Sequence, residues 1–159
     1  MIITIGGLNE PPQSTPSMVI SLGQPTERIP AWVDTSRPLL RLTFEHISTP
    51  QNPKTPKIRP WLQCRVACLF VEHHRPEHLH IQSTNGNSRA TALALVIMDT
   101  HPDLMGQYNI LHHLKYLATI RPQATPDLAM LADHDRHNLH RAPLARWASR
   151  HFYPEKTHE

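Results

Sequence analysis

Proline and glycine cut the first half of this chain into short β-prone runs, whereas the second half carries helical periodicity. This division constrains the fold more than any other feature. The runs "IITI" (2–5), "MVISL" (18–22), "LLRLTF" (39–44) and "LHIQ" (79–82) are each bounded by Pro, Gly or polar turn residues, the punctuation expected of strands. Between the third and fourth runs, Leu62, Val66, Leu69, Phe70 and His73 recur at 3.6-residue spacing behind Pro60, a residue suited to a first helical turn. That spacing predicts a helix. Further helices are expected near 88–99, 105–119, 126–137 and 142–152, broken by "RPQATPD" (121–127). The pattern implies one α/β domain over residues 1–159, with a small, mainly parallel central sheet flanked by helices. Ligand sites in such sheets lie beyond the carboxyl ends of the strands, which directs attention to the turns at 43–49 and 83–89.

Composition removes several function classes. Lys and Arg number 16 against 13 Asp and Glu, but they are scattered and form no basic stripe interleaved with aromatics, so a nucleic-acid partner is not expected. No apolar run approaches the length of a bilayer span, and "MIITIGGLNEPP" has no basic n-region, so the reading is a cytoplasmic protein without a membrane partner. Cys64 and Cys68, four residues apart on one helical face, read as buried thiols. Of thirteen histidines, seven concentrate in "EHHRPEHLH" (72–80) and "DHDRHNLHR" (133–141). Neither cluster has a spaced ligand motif; the "HDRH" at 134–137 evokes metal-dependent phosphohydrolases but lacks their upstream ligands. The clusters are read as solvated, and no metal or cofactor is expected. Nor does any exposed amphipathic stripe argue for a docking module.

The turn "STNGNSR" (83–89) carries the chemistry. Its small residues leave successive backbone N–H groups able to point inward, Gly86 permits a backbone angle other residues resist, and a helix begins at its far end. Arg89 adds a planar, permanently charged fork that can grip two phosphate oxygens. Ser83, Thr84, Asn85, Gly86, Asn87, Ser88 and Arg89 are therefore the candidate phosphate-binding residues, and inorganic phosphate or sulfate would suit the same loop.

This segment resembles the signature loop of the Cys-dependent protein tyrosine and dual-specificity phosphatases, a strand followed by His-Cys-x5-Arg-Ser/Thr and a helix. Here it reads Gln82-Ser83-x5-Arg89-Ala90. The chain is most similar to compact bacterial predicted tyrosine phosphatases with "HCxAGxSRSTA", sharing Gly86, Ser88, Arg89, Thr91 and Ala92. "LLRLTFEHI" (39–47) resembles that group's "LRLxFxDI" strand and acid loop, and "IRPQATPDLAMLAD" (120–133) its "RPxAxPN" segment, so the likeness spans nearly the whole chain. It implies a ligand that is a phosphorylated protein or a small phosphate monoester. It also implies cleavage through a phosphocysteine, with the loop amides and arginine holding the equatorial oxygens and an upstream acid protonating the leaving group.

The departures cluster at the nucleophile. Ser83 stands where the cysteine belongs, Gln82 replaces the histidine, and Ala90 replaces the hydroxyl that serves the departing thiolate, with Thr91 offering one a residue further on. Glu45 or His46 occupies the general-acid position. These changes imply a pseudophosphatase that binds without cleaving; the alternatives are an active Cys-dependent enzyme whose nucleophile has been changed to Ser83, or a non-enzymatic interaction module.

Overall fold

The computed structural model describes residues 1–44, 60–138 and 143–154. Four parallel strands, β1 (Ile2–Gly6), β2 (Met18–Gly23), β3 (Leu39–Thr43) and β4 (His78–Gln82), form one sheet in the order β1-β4-β2-β3. Six helices are described: α1 (Pro60–His74), α2 (Arg89–Thr100), α3 (Pro102–Met105), α4 (Ile110–Ile120), α5 (Leu128–His137) and α6 (Leu144–Phe152). The expected parallel α/β sheet is therefore present.

Strand alternation divides the sheet into unlike faces. Ile3, Ile5, Met18, Ile20, Leu22, Leu79 and Ile81 join the main core with α1, α2, α4 and α5. The opposite face presents Thr4, Ser21, Arg41, His78, His80 and Gln82, and irregular segments cover it. Trp32 meets His80 edge-on at 5.3 Å and donates its indole N–H to Leu8 O at 2.9 Å. At the centre of the helical layer, α2 is buried at every position from Ala90 to Met98, as a helix apolar all round must be.

Three local expectations need correction. The stripe that predicts α1 is largely its outer face: Leu62, Val66 and Leu69 are 46%, 40% and 55% exposed. Gln63, Cys64, Ala67, Cys68 and Val71 face inward instead. These also recur at helical spacing, their smaller side chains suit the approach to α2 and β3, and Gln63 Nε2 secures the choice by donating to Thr43 O at 2.6 Å. An exposed apolar stripe therefore does exist, contrary to the sequence reading, while Cys64 and Cys68 are buried thiols as expected. Burial pushes the Cys64 thiol up, and Cys68 beside it adds to the effect.

The helix expected over 105–119 starts later, as α4 at Ile110, and is preceded by the short α3 that ends at Met105. Gly106 takes a left-handed φ of 65° and ends α3, and α4 starts afresh with Asn109 capping the Leu111 amide. Finally, the histidines are not all solvated. Within the two clusters His80 and His134 are buried; the Thr4 hydroxyl lies 2.8 Å from both His78 Nε2 and His80 Nδ1, and His137 stacks on Trp61 at 4.4 Å.

Candidate functional site

Because every strand runs the same way, the segments leaving β1, β2 and β4 emerge at one edge of the sheet. β4 lies between β1 and β2, so the bend Ser83–Ser88 is flanked by the segment after Gly6 on one side and the segment after Gly23 on the other. The bend continues the sheet at its root, with the Ser83 amide donating to Gly6 O at 3.2 Å. It closes at Ser88, where α2 begins without a side-chain cap. The first amides of that helix thus keep donors that the protein's side chains do not satisfy.

The carbonyls of the bend are held from outside. Thr84 O accepts from the Leu8 amide at 3.2 Å, Asn87 O from the Thr125 amide at 2.9 Å, and Ser88 O from Asp127 at 3.3 Å. Asn85 O accepts from Arg121 Nη2 at 2.5 Å. In a trans peptide the N–H points opposite its carbonyl, and no cis bond is present among the described residues. Each anchored carbonyl therefore turns the following amide the other way. For Gly86 that direction leads to Ser83: its N–H donates to Ser83 Oγ at 3.1 Å. Gly86 adopts φ 71°, and a Cβ there would lie 2.7 Å from the Gly6 carbonyl carbon, so both conformation and space require glycine.

Arg89, half-buried, lies over the Phe44 ring at 5.5 Å and hydrogen-bonds to none of the described residues. Ser83 is 6% exposed. Of the seven residues of the predicted loop, Ser83–Ser88 form the bend and Arg89 is the first residue of α2. Glu45 and His46 lie outside the described residues. Thr91 does not offer its hydroxyl to Ser83; Oγ1 donates to the carbonyls of Asn87 and Ser88 at 2.5 and 2.8 Å.

Sequence reasoning missed the brace behind the bend. Arg121, 8% exposed, donates Nε to Asn87 Oδ1 at 2.9 Å, Nη1 to Glu10 Oε2 at 2.5 Å and Nη2 to the bend at Asn85 O. One planar guanidinium thereby joins the bend to the segment after β1. Glu10 also accepts the Gly7 amide at 3.0 Å, and Arg121, followed by Gly7, holds its carboxyl below the usual range. The available signal was Arg121 opening the "RPQATPD" break, where a basic residue at a helix end reads equally well as solvated.

Comparison with solved structures gives human DUSP28 at a TM-score of 0.60, 12% identical and covering 86% of this chain and 91% of that one. The fold is that of the dual-specificity phosphatases. A mouse protein assigned as a dual specificity phosphatase, complexed with zinc tungstate, matches at 0.53 with 14% identity over 77% of this chain and 70% of its own. Human tyrosine phosphatase-like serine/threonine/tyrosine-interacting protein matches at 0.51, with 13% identity over 79% and 78%. No family model matches the sequence, and no curated protein matches it significantly.

Proposed function

We propose that this chain is a dual-specificity-phosphatase-like domain that binds a phosphate monoester, phosphotyrosine or a similar phosphorylated residue on a protein, in the Ser83–Arg89 bend and, as it stands, holds that group without cleaving it. The observation that carries the reading is the Gly86 amide on Ser83 Oγ. It puts the Gly86 N–H against the side chain at the nucleophile position, at the start of a 12-residue helix whose dipole favours an anion. A thiol so placed ionises near neutral pH, whereas a hydroxyl, with its far higher pKa, stays protonated unless a base removes its proton. His80, three residues before Ser83, holds its Nδ1 at 2.8 Å from the Thr4 hydroxyl rather than on Ser83. Binding survives this arrangement and in-line attack does not. Glu45 or His46, at the general-acid position of the resemblance, then has no leaving group to protonate. The setting is the cytoplasm, where Cys64 and Cys68 remain thiols rather than a disulfide.

One observation favours the second reading, a Cys-dependent enzyme whose nucleophile has been changed to Ser83: the anchored carbonyls of the bend are what an active enzyme needs. The two readings separate on an aryl phosphate. Under the proposal, the protein and its Ser83→Cys variant both fail to hydrolyse it, because Gln82 and Ala90 still stand where the resemblance has the histidine and the hydroxyl that serve the thiolate, while tungstate binds and Arg89→Ala abolishes binding. Hydrolysis by Ser83→Cys alone establishes the second reading, and failure of the unaltered protein to bind tungstate refutes the phosphate site.

A further inference from the structure

Ser83 is bracketed by a path of polar contacts that phosphate binding does not itself use. The path starts at Gln82, the residue before it, and ends at Thr84, the residue after it. Ser21 and Gln82 are register partners on β2 and β4, both fully buried, and the Ser21 hydroxyl donates to Gln82 Oε1 at 2.6 Å. Ser21 Oγ in turn accepts from Arg41 Nη1 at 2.6 Å. Arg41 Nη2 donates to the backbone oxygens of Glu27 and Gln24 at 2.7 and 3.3 Å and lies 3.9 Å from Glu27 Oε2. Glu27 closes the path, accepting the Thr84 hydroxyl on Oε1 at 3.0 Å while Oε2 takes the Gln24 amide at 3.2 Å. Gly23 makes the crossing possible: a Cβ there would fall 2.2 Å from Glu27 Oε2 and 2.3 Å from Arg41 Nη2.

A carboxylate this close to an anion cradle repels the ligand, so its placement has to serve something else. We infer that Glu27, backed by Arg41 and Ser21, is a positioning residue for the cradle. It fixes the Thr84 side chain while Leu8 fixes the Thr84 carbonyl, and together they set the direction of the Asn85 amide that follows. Gln82, in place of the family's histidine, supplies the amide oxygen that ties the path to β4. The inference rests on the phosphate-binding reading of the bend.

Two substitutions at one position isolate the role. Glu27→Gln and Glu27→Ala both remove the charge that faces Arg41 and repels an anion, but only alanine removes the acceptor of the Thr84 hydroxyl. If Glu27 acted through its charge alone, both variants would bind tungstate more tightly than the unaltered protein. Positioning predicts the opposite sign for alanine: titration calorimetry gives an affinity about five- to tenfold weaker for Glu27→Ala, with Glu27→Gln as tight as or tighter than the unaltered protein, since one lost hydrogen bond is at stake. Thr84→Val, at an exposed position, deletes the donor without disturbing the core. It must reproduce the loss, and it decides the matter if Glu27→Ala fails to fold. Affinity equal to or tighter than that of Glu27→Gln in Glu27→Ala, or unchanged affinity in Thr84→Val, overturns the inference while leaving the phosphate site standing. No tungstate binding by the unaltered protein overturns both.

Discussion

Arg121 offers the most direct test of how the bend keeps its shape. Its guanidinium satisfies three acceptors in three places, the Asn87 side chain, the Glu10 carboxylate and the Asn85 carbonyl. Hydrogen bonds from a charged donor contribute more than neutral ones, and removing one partner of a buried ionic contact leaves the others unsatisfied. The ledger needs a discount, because the Glu10 side chain is 52% exposed and returns to water when the arginine goes. Charging most of the cost to the two Asn contacts gives about 3 kcal/mol for Arg121→Ala, which for a chain of this size corresponds to a melting shift of about 6 to 12 °C. Arg121→Lys keeps the charge but cannot span three acceptors, so about half of that loss is expected. Thermal unfolding with and without tungstate measures both effects, since a ligand bound to the folded state raises the midpoint. The tungstate-induced rise should shrink in the alanine variant as the Asn85 carbonyl, and with it the Gly86 amide, loses its anchor. A melting temperature within about 2 °C of the unaltered protein, with the tungstate response intact, would refute the brace.

Two further outcomes are expected. Gly86→Ala should destabilise by at least about 2 kcal/mol in urea unfolding, since it forces a side chain into a left-handed backbone against Gly6; Gly106→Ala, with φ 65° but nothing within 4 Å, should cost about half as much or less. Burial, with His78 second, holds His80 near 4, down from 6.5, so the fold favours neutral His80. That contribution is intact above pH 6.5 and lost as pH falls from 6.5 towards 4, up to about 3 kcal/mol; His80→Gln should flatten the acid side of the urea-midpoint profile, and an unchanged slope would exclude His80 as its source.

The strands and the bend were legible because their signals are local. Short apolar runs between turn residues have few alternatives, and a Gly-centred bend between strand and helix announces both itself and Arg89. α1 was legible as a helix but not in its orientation, because Leu62-Val66-Leu69 and Cys64-Ala67-Cys68-Val71 satisfy the same periodicity and only the neighbouring strand and helix choose between them. What surrounds the bend was not legible. Arg121 lies 34 residues from Asn87 and 111 from Glu10, and Glu27 lies 57 from Thr84; no spacing rule links positions that meet only because three parallel strands end at one edge. Thr91 misled for a similar reason, since its place in the sequence put a hydroxyl near Ser83 but the first turn of α2 took that hydroxyl for its own carbonyls.

The burial of α2 along nine consecutive residues, Ala90 to Met98, has a kinetic corollary. A bend seated on a helix enclosed on all sides has little freedom left to surrender, so under the proposed function an arriving oxyanion should find the bend already formed and associate at the pace of encounter. Variants of the bend should then differ chiefly in how long they retain the anion, with capture rates nearly constant and residence times carrying the differences in affinity.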